Sequence, residues 1–269
     1  MDRYRIAPDT AVRLAEHDPR DKSAFPDVSK ATALEHLRPM RSELAALQRL
    51  LWADGNRSLL VVLQAMDTGG KDGTIRKVFT GVNPHGVDVT GFGVPSDEEI
   101  AHDYLWRVHR RTPAKGRIAV FNRSHYEDVL VVRVNELVPE AQWSRRFDHI
   151  RAFEQILADE GTTIVKIMLN ISKKEQKKRL EARLEDPTKN YKFNVSDLDS
   201  RARWDDYMRA YEDAITRTST DDAPWYVVPA DRKWCRNLIV ASILIDTMRR
   251  MPLAYPSTDL DVSTITIPD

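Results

Sequence analysis

Cysteine and long hydrophobic runs are what this sequence most conspicuously lacks. The 269 residues include a single cysteine, Cys235, so no internal disulfide can form and a disulfide-stapled secreted domain is excluded. The opening residues MDRYRIAPD contain no apolar segment of the signal-peptide kind, and no apolar run approaches the ~20 residues that span a bilayer. We therefore expect a cytoplasmic protein without a transmembrane segment.

Net charge is absent as well, because 41 Lys and Arg residues balance 41 Asp and Glu residues. No global field draws such a protein to nucleic acid or to a membrane, so neither is expected as a partner. Ten glycines and 14 prolines in the whole chain exclude collagen-like and low-complexity classes. Any anion site must therefore arise from local clustering of charge.

Five short apolar runs, separated by segments of helical periodicity, predict an α/β fold. Continuous apolar runs of this length are typical of strands buried on both faces of a parallel sheet. Their alternation with helices predicts βαβ units around a central parallel sheet. An amphipathic helix that starts at Glu35 and ends at Asp54-Gly55 precedes the first run. The runs cover residues 59–65, 87–92, 117–122, 163–169 and 225–230.

The organisation of the chain predicts one domain with a helical insertion. Residues 1–34 show no sustained periodicity and are expected to form an arm on the body or on a partner subunit. Residues 35–255 form the predicted kinase-like domain, and residues 256–269 form a loose tail. Within the domain, residues 172–215 are predicted to form a helical lid. Ser172 and Glu175 predict a capping box for its first helix, and Ser196 predicts the cap of a second.

The most informative stretch follows the run at 59–65 and is called the phosphate loop below: Asp67-Thr68-Gly69-Gly70-Lys71-Asp72-Gly73-Thr74. Small residues between a strand and a helix allow backbone N–H groups to face one concavity, and a lysine there reaches phosphate oxygens. The pattern departs from the Walker A motif at Ala65 and Asp72, which replace its first glycine and its hydroxyl residue. The alternative is a tight turn with a solvated Lys71.

The strand run at 117–122 ends in a second candidate group. Asn122 occupies the position where an acid organises the metal in P-loop proteins, and an amide carries no charge. The anionic role then falls on Asp67, Glu127 or Asp128. Arg123 suits a contact to a transferring phosphoryl group, and its alternative role is a surface salt bridge with Glu127 or Asp128. His125, in the same loop, is a candidate ligand contact.

Two basic segments, both later in the sequence than the phosphate loop and expected around it in the fold, suggest a long anion. The first runs from Arg107 to Arg123 without an acidic residue, and the second lies in the predicted lid. Within the lid, Arg183, Lys189 and Lys192 are the preferred anion contacts, and the other lysines are expected on a solvated face. Trp204, Tyr207 and Tyr211 follow a helical period and are expected in the core, as is Cys235.

Four segments together resemble the polyphosphate kinase 2 family over roughly residues 35–250. They are QAMDTGGKDGT, GVNPHGVDVTGFGVPS, HDYLWRVHRRTPAKGRIAVFNRSHYEDVLVVRV and RLEDPTKNYKFNVSDL. The resemblance implies a thymidylate-kinase-like P-loop fold, a three-layer α/β sandwich with a helical lid. It also implies transfer of the terminal phosphoryl group of inorganic polyphosphate to an adenine nucleotide, or alternatively a guanine nucleotide. Mg²⁺ is the implied cofactor with Mn²⁺ as an alternative, and a homotetramer or homodimer is the implied assembly.

The resemblance also implies roles for individual residues. Asp67, the implied metal ligand, Lys71 and Arg123 become catalytic, and Asn122 with Glu127 resembles the subgroup that phosphorylates both AMP and ADP. Two functions remain as alternatives, an ATP-dependent nucleoside monophosphate kinase and a nucleotide-binding regulator without turnover. The implied phosphate-binding residues are Gly69, Gly70, Gly73, Thr74, Arg183, Lys189 and Lys192.

Overall fold

The structure, a computed structural model, describes residues 1–260 and 264–268. Residues 261–263 and 269 of the predicted tail lie outside the described residues. The strands are β1 Arg5–Ile6, β2 Ser58–Gln64, β3 Val87–Gly91, β4 Ile118–Asn122, β5 Thr162–Asn170 and β6 Trp225–Pro229. The α-helices are α1 Ala33–Asp54, α2 Lys71–Val78, α3 Asp97–Ile100, α4 Trp106–His109, α5 Val131–Val134, α6 Glu140–Trp143, α7 Arg146–Asp159, α8 Lys173–Glu185, α9 Ser196–Ala202, α10 Trp204–Thr218 and α11 Lys233–Arg250.

The strands form one sheet in the order β1-β6-β5-β2-β4-β3. All neighbours run parallel except β1, which pairs with β6 antiparallel, so the predicted α/β fold is confirmed with one antiparallel edge strand added. Five of the six strands coincide with the five apolar runs. In the register, Leu63 of β2 lies beside Asn122 at the end of β4, and both strands end at the same edge of the sheet. Residues after β2 and β4 are therefore neighbours.

Helices cover both faces of the sheet. Every residue of β2 and β6 is buried, which requires apolar cover on both sides. Helices α1, α2 and α11 pack together as one group, and α5, α7 and α10 pack together as another. As expected from its spacing, α1 ends at Gly55, which adopts a left-handed φ of 64°. Among the described helices, none has the length and apolar character needed to cross a membrane.

Residues 1–34 lie on the body of the domain. Arg5 and Ile6 pair with β6, and the following chain passes the carboxyl ends of β5 and β6. There Asn170 Nδ2 donates to the His17 carbonyl at 2.8 Å, and the Asp231 amide donates to the Pro19 carbonyl at 3.0 Å. The arm therefore adds a strand to the sheet, which its lack of periodicity did not predict.

Two of the predicted helix caps need correction. Ser172 does accept a hydrogen bond from the Glu175 amide at 3.0 Å, but the reciprocal half of the box is missing. The Ser172 amide donates instead to Asp231, and the Glu175 carboxylate pairs with Arg179 at 2.9 Å. Tertiary partners outcompete the local one.

The second cap, Ser196, makes no capping contact, because α9 begins at Ser196 itself and Val195 occupies the cap position. The predicted single helix is also broken at Arg203 into α9 and α10. Trp204, Tyr207 and Tyr211 of α10 are buried in the core, as expected, and α10 packs on α7. Cys235 is buried as well.

An ion pair lies in the interior beneath the loop that follows β4. Lys166 of β5 is fully buried, and its Nζ donates to Glu154 of α7 at 2.6 Å and to the Thr218 carbonyl at 2.7 Å. Tyr126 donates to the same carboxylate at 2.8 Å, and His125 Nε2 lies 3.2 Å from it. His125 has no exposed surface, so the expectation that it touches a ligand is wrong.

We expect Lys166→Met to reduce the free energy of unfolding by about 3–5 kcal/mol, because it leaves the Glu154 charge buried without a cation. Urea unfolding followed by circular dichroism measures the change. The double variant Lys166→Met with Glu154→Leu removes both charges and is expected to be more stable than the single variant. A double variant that is further destabilised contradicts this account.

Candidate functional site

The phosphate loop joins the carboxyl end of β2 to the start of α2. Gly70 caps α2 with a φ of 105°, and Thr68 has a φ of 62°. The first helical hydrogen bond is donated by the Thr74 amide to the Gly70 carbonyl at 2.9 Å. The amides of residues 70–73 therefore precede the first donor of the helix, the Thr74 amide, and are free to bind an anion.

Two glycines of the loop are required by close packing. A Cβ at Gly69 would lie 2.8 Å from the Met66 carbonyl oxygen, and one at Gly70 would lie 2.0 Å from Arg236 Nη1. The built Cβ of Gly69 would also lie 2.5 Å from the Ala65 Cβ, so the absence of a side chain at Gly69 makes room for Ala65. Gly73 and Thr74 lie in the first turn of α2, and Thr74 Oγ1 donates to the Gly70 carbonyl at 3.0 Å.

Lys71 is held within the turn instead of extending into solvent. Its Nζ donates to the Ala65 carbonyl at 2.8 Å. Burial, and then the nearby Arg123 guanidinium, lower the pKa of Lys71, against the attraction of Asp67 and Glu127. The Lys71 ammonium therefore lies within electrostatic reach of the Asp67 and Glu127 carboxylates.

Arg123 pairs with Asp67, so the sheet brings together two residues far apart in the sequence. Arg123 Nη2 lies 2.7 Å from Asp67 Oδ1, and the Arg123 amide donates to the Leu63 carbonyl at 3.1 Å. Arg123 adopts a left-handed φ of 63°, a strained conformation for a residue with a side chain. Burial opposes its charge, but Glu127 and Asp67 outweigh this and raise the pKa of Arg123.

The acidic candidates separate into two groups. Glu127 lies beside Arg123 and Lys71, and burial raises its pKa above the usual 4.5 even though both cations oppose the shift. Asp128 instead pairs with Arg146 at 3.0 Å, and burial raises its pKa to about 6. Neither residue is the salt-bridge partner that the alternative role of Arg123 required.

Asn122 faces the phosphate loop across the sheet edge. Its Nδ2 donates to Asp72 Oδ1 in a short hydrogen bond. Asp72 stands where a Walker A motif has its hydroxyl residue, so these two departures from the usual pattern contact each other.

The basic segment before Arg123 does not form a continuous anion surface, contrary to the sequence-based expectation. Arg117 lies at the amino end of β4, opposite the phosphate loop, and pairs with Asp88 at 2.7 Å. Arg107 is buried and donates to the Gly93 carbonyl at 3.0 Å. Arg117 and Arg123 lie at opposite ends of β4, so they do not share a surface. A count of basic residues along the sequence groups them together.

Of the predicted lid cations, Arg183 lies in the last turn of α8, and Lys189 and Lys192 lie on the segment after it. Arg183 donates to the Lys192 carbonyl at 3.0 Å and to Asp197 at 3.3 Å. Burial, and then the Asp67 carboxylate, raise the pKa of Asp197, which places Arg183 near the phosphate loop through Asp197. Lys189 pairs with Asp186, and the Lys192 ammonium lies over the Tyr191 ring. The last two contact no residue of the phosphate loop.

Gln176 and Arg179 of α8 contact the phosphate loop, and the sequence reasoning missed both. Gln176 Nε2 donates to the Asp67 carbonyl at 3.1 Å. Arg179 Nη1 donates to the carbonyls of Thr68 and Gly69, each at 3.1 Å. The helical period could have indicated them. Leu180 is the buried apolar residue of this charged helix, and Gln176 and Arg179 lie on the same buried face.

Arg236 of α11 was also missed, because its neighbours in the sequence indicate an ordinary core helix. Its guanidinium is 2 % exposed and lies behind the phosphate loop, with Nη1 at 3.4 Å from the Gly69 carbonyl oxygen. Arg179 and Arg236 thus both approach the carbonyl side of the Gly69–Gly70 peptide, and the Gly70 amide of that peptide points the other way. No local pattern in the sequence marks this convergence.

The loop also contains an unused hydrogen-bonding group, Thr68 Oγ1, which is buried and has no partner within residues 1–260 and 264–268. In the same residues, no three His, Cys, Asp or Glu side chains form a ready-made metal cage. Mg²⁺ commonly takes one or two carboxylates and completes its shell with phosphate oxygens and water. Asp67, whose Oδ1 contacts Arg123, fits such a partial set.

Free amides after a central parallel strand, a lysine and an arginine define a P-loop type of phosphate-binding α/β protein. The model of the family "Polyphosphate kinase 2 (PPK2)" matches residues 27–254. The chain belongs to the polyphosphate kinase 2 family, which confirms the resemblance seen in the motifs.

Known relatives match nearly the whole chain. An AMP/ADP-polyphosphate phosphotransferase from Meiothermus ruber is 55 % identical over 259 residues, covering 96 % of this chain and 97 % of the relative. An ADP-polyphosphate phosphotransferase from Rhodopseudomonas palustris is 47 % identical over 86 % of this chain and 84 % of its own. The crystal structure of polyphosphate kinase 2 from Arthrobacter aurescens TC1 superposes with a TM-score of 0.93 at 45 % identity, covering 97 % and 93 % of the two chains.

We expect Gly70→Ala to abolish anion binding at the loop, because the new Cβ meets Arg236 and the backbone has a positive φ. Strain of this kind costs about 1–3 kcal/mol, so the free protein also loses stability. Thermal denaturation with and without pyrophosphate measures both effects. Gly91→Ala is the matched control, since a Cβ there meets nothing within 4 Å. A Gly70→Ala protein that pyrophosphate still stabilises like wild type contradicts the assigned loop.

Proposed function

We propose that this protein transfers the terminal phosphoryl group of inorganic polyphosphate to AMP or ADP, forming ADP or ATP, in a reversible Mg²⁺-dependent reaction. The observation that carries the proposal is the convergence of the free loop amides, Lys71 and the Asp67–Arg123 pair at one edge of the sheet. The names of the relatives from Meiothermus ruber and Rhodopseudomonas palustris supply the substrate class.

The reaction is an in-line displacement at the terminal phosphorus of polyphosphate. A phosphate oxygen of the nucleotide forms the new P–O bond, the bridging P–O bond breaks, and the polyphosphate leaves one unit shorter. An attacking phosphate is already anionic, so positioning and charge neutralisation suffice without a strong general base. The loop amides hold the donor, while Lys71 and Arg123 neutralise the oxygens of the transferring group.

Asp67 is the proposed ligand of Mg²⁺, or alternatively Mn²⁺. When bound there, the metal would supply positive charge that neutralises phosphate oxygens. Asp67 is suited to this role because Arg123 contacts its Oδ1 and fixes the carboxylate. Glu127 is the second carboxylate beside Lys71 and Arg123, and with Asn122 it is the proposed contact to the nucleotide.

The lid comprises residues 172–215 in this proposal and closes over the polyphosphate. The proposed phosphate contacts are Arg183 in the last turn of α8 and Lys189 and Lys192 in the largely exposed segment between α8 and α9. Because α10 packs on α7, closure is expected to move the part of the lid before Trp204. A closed lid excludes water and suppresses hydrolysis.

The finer properties rest on the family and on composition. We propose a homo-oligomer, a dimer or tetramer, with adenine nucleotides preferred and guanine nucleotides as alternatives. We also propose a cytoplasmic location, supported by the single buried cysteine.

A phosphate-transfer assay tests the function directly. Purified protein receives Mg²⁺, long-chain polyphosphate and either AMP or ADP, and chromatography follows each nucleotide. Formation of ADP and ATP from AMP is expected. ATP from ADP alone contradicts the AMP acceptor, and transfer from ATP but not from polyphosphate indicates a nucleoside monophosphate kinase. Binding without turnover indicates a regulator.

We expect Arg123→Ala to lower kcat by about 100-fold or more, because it removes a cation from the charge that develops on the transferring group. Steady-state kinetics of nucleotide formation measure the loss. Arg117→Ala, at the opposite end of β4, is the matched control and should retain activity close to wild type. A kcat of the Arg123→Ala enzyme within about tenfold of wild type would contradict the assigned role.

The raised pKa of Glu127 predicts a loss of activity on the acidic side. As the pH falls through that pKa, the carboxylate takes up a proton and loses its attraction for Arg123 and Lys71. Profiles of kcat/KM from about pH 5 to about pH 8 measure the decline. Glu127→Gln should be less active and should lack this decline. A decline that disappears instead in Asp128→Asn assigns it to Asp128, whose pKa is about 6.

A further inference from the structure

Arg236 carries a charge that the protein does not balance. Its guanidinium is 2 % exposed, and within the described residues it forms no ion pair with a carboxylate. Its hydrogen bonds go to neutral oxygens, Asn237 Oδ1 at 2.9 Å and the Gly69 carbonyl at 3.4 Å. A buried charge without a counter-charge is costly, so a structural role alone does not explain it.

Among the described residues, the other Lys and Arg residues with less than a tenth of their surface exposed each have a carboxylate partner. Lys166 faces Glu154 at 2.6 Å, and Arg179 pairs with Glu175 at 2.9 Å. Burial, and then the neighbouring charge of Arg179, lower the pKa of Arg236 to about 9, so nothing nearby favours its charged form. The imbalance is specific to the group behind the phosphate loop.

The geometry indicates where the missing charge belongs. Arg236 Nη1 approaches the loop so closely that a Cβ on Gly70 would lie 2.0 Å away, and its Nη2 would lie 3.6 Å from a Cβ on Gly73. Arg236 contacts the Gly69 carbonyl, and in a trans peptide the following Gly70 amide points the opposite way. An anion bound to the Gly70 amide would therefore lie across one layer of backbone from the guanidinium.

We propose that Arg236 is a positioning residue of the donor site, and that the negative charge that compensates its guanidinium is the phosphoryl group held at the phosphate loop. This inference rests on the proposed function for the identity of the donor. Arg236 acts through the backbone of the loop without touching the phosphate. The free protein bears an unbalanced buried charge, and binding of the donor relieves it.

The proposal predicts two effects of opposite sign for Arg236→Met. The free protein is expected to be as stable as wild type or more stable, because the uncompensated charge is gone. Its stabilisation by pyrophosphate or tripolyphosphate is expected to shrink. A residue that only supports the fold would show the reverse: a less stable free protein that the anions still stabilise normally.

Thermal denaturation and steady-state kinetics test this on the full chain. For Arg236→Met, we expect KM for polyphosphate to rise by about tenfold or more while KM for the nucleotide stays within about twofold. Arg236→Lys keeps the charge and is expected to recover most of the anion-dependent stabilisation. Arg250→Met, which removes a 64 % exposed arginine from the same helix, is the control and should match wild type.

The outcomes separate this proposal from the proposed function. Equal stabilisation of wild type and Arg236→Met by both anions overturns the role of Arg236, whether or not polyphosphate is a substrate. If Arg236→Met does not fold, equal stabilisation of wild type by tripolyphosphate and by chloride at matched ionic strength overturns it. Wild-type protein that binds tripolyphosphate but transfers nothing from polyphosphate overturns the proposed function and leaves the role of Arg236 intact.

Discussion

Two buried arginines hold the phosphate loop from behind, and the geometry of the site depends on them. Arg179 donates to the carbonyls of Thr68 and Gly69, and Arg236 approaches the second of these from α11. With the carbonyls held on that side, the amides at the start of α2 are left to face the opposite concavity. A loop of small residues has little rigidity of its own, so its shape comes from helices far away in the sequence.

The protein buries positive charge in two different ways. The Lys166–Glu154 pair lies beneath the loop after β4, where each charge has its counter-charge and hydrogen bonds to Tyr126 and Thr218 complete the pair. Arg236 lies without a carboxylate behind a loop whose amides face outward. A buried cation that is paired with a carboxylate costs the fold less than one that is not. The unpaired Arg236 therefore indicates a ligand that supplies the missing negative charge. Charges that a fold leaves unbalanced mark the places where function outweighs stability.

The parallel sheet assembles the rest of the site, because the carboxyl ends of β2 and β4 meet at one edge. Register places Leu63 beside Asn122, and Arg123 then pairs with Asp67 across the gap. Arg117 belongs to the same basic segment but lies at the other end of β4, where Asp88 neutralises it. One strand of five residues thus separates the proposed catalytic arginine, Arg123, from one that is paired with Asp88.

The sequence by itself determined five of the six strands, the end of α1 at Gly55, the phosphate loop and the place of Arg123, because each depends on periodicity, turn chemistry or adjacency to a strand. The tertiary structure decided which charges meet. It replaced the Ser172 capping box with a contact to Asp231, broke the helix at Arg203 and brought Arg236 to a loop 167 residues away. Local patterns encode backbone conformation, whereas the partner of a charge is chosen by packing between distant elements, which no short stretch of sequence contains.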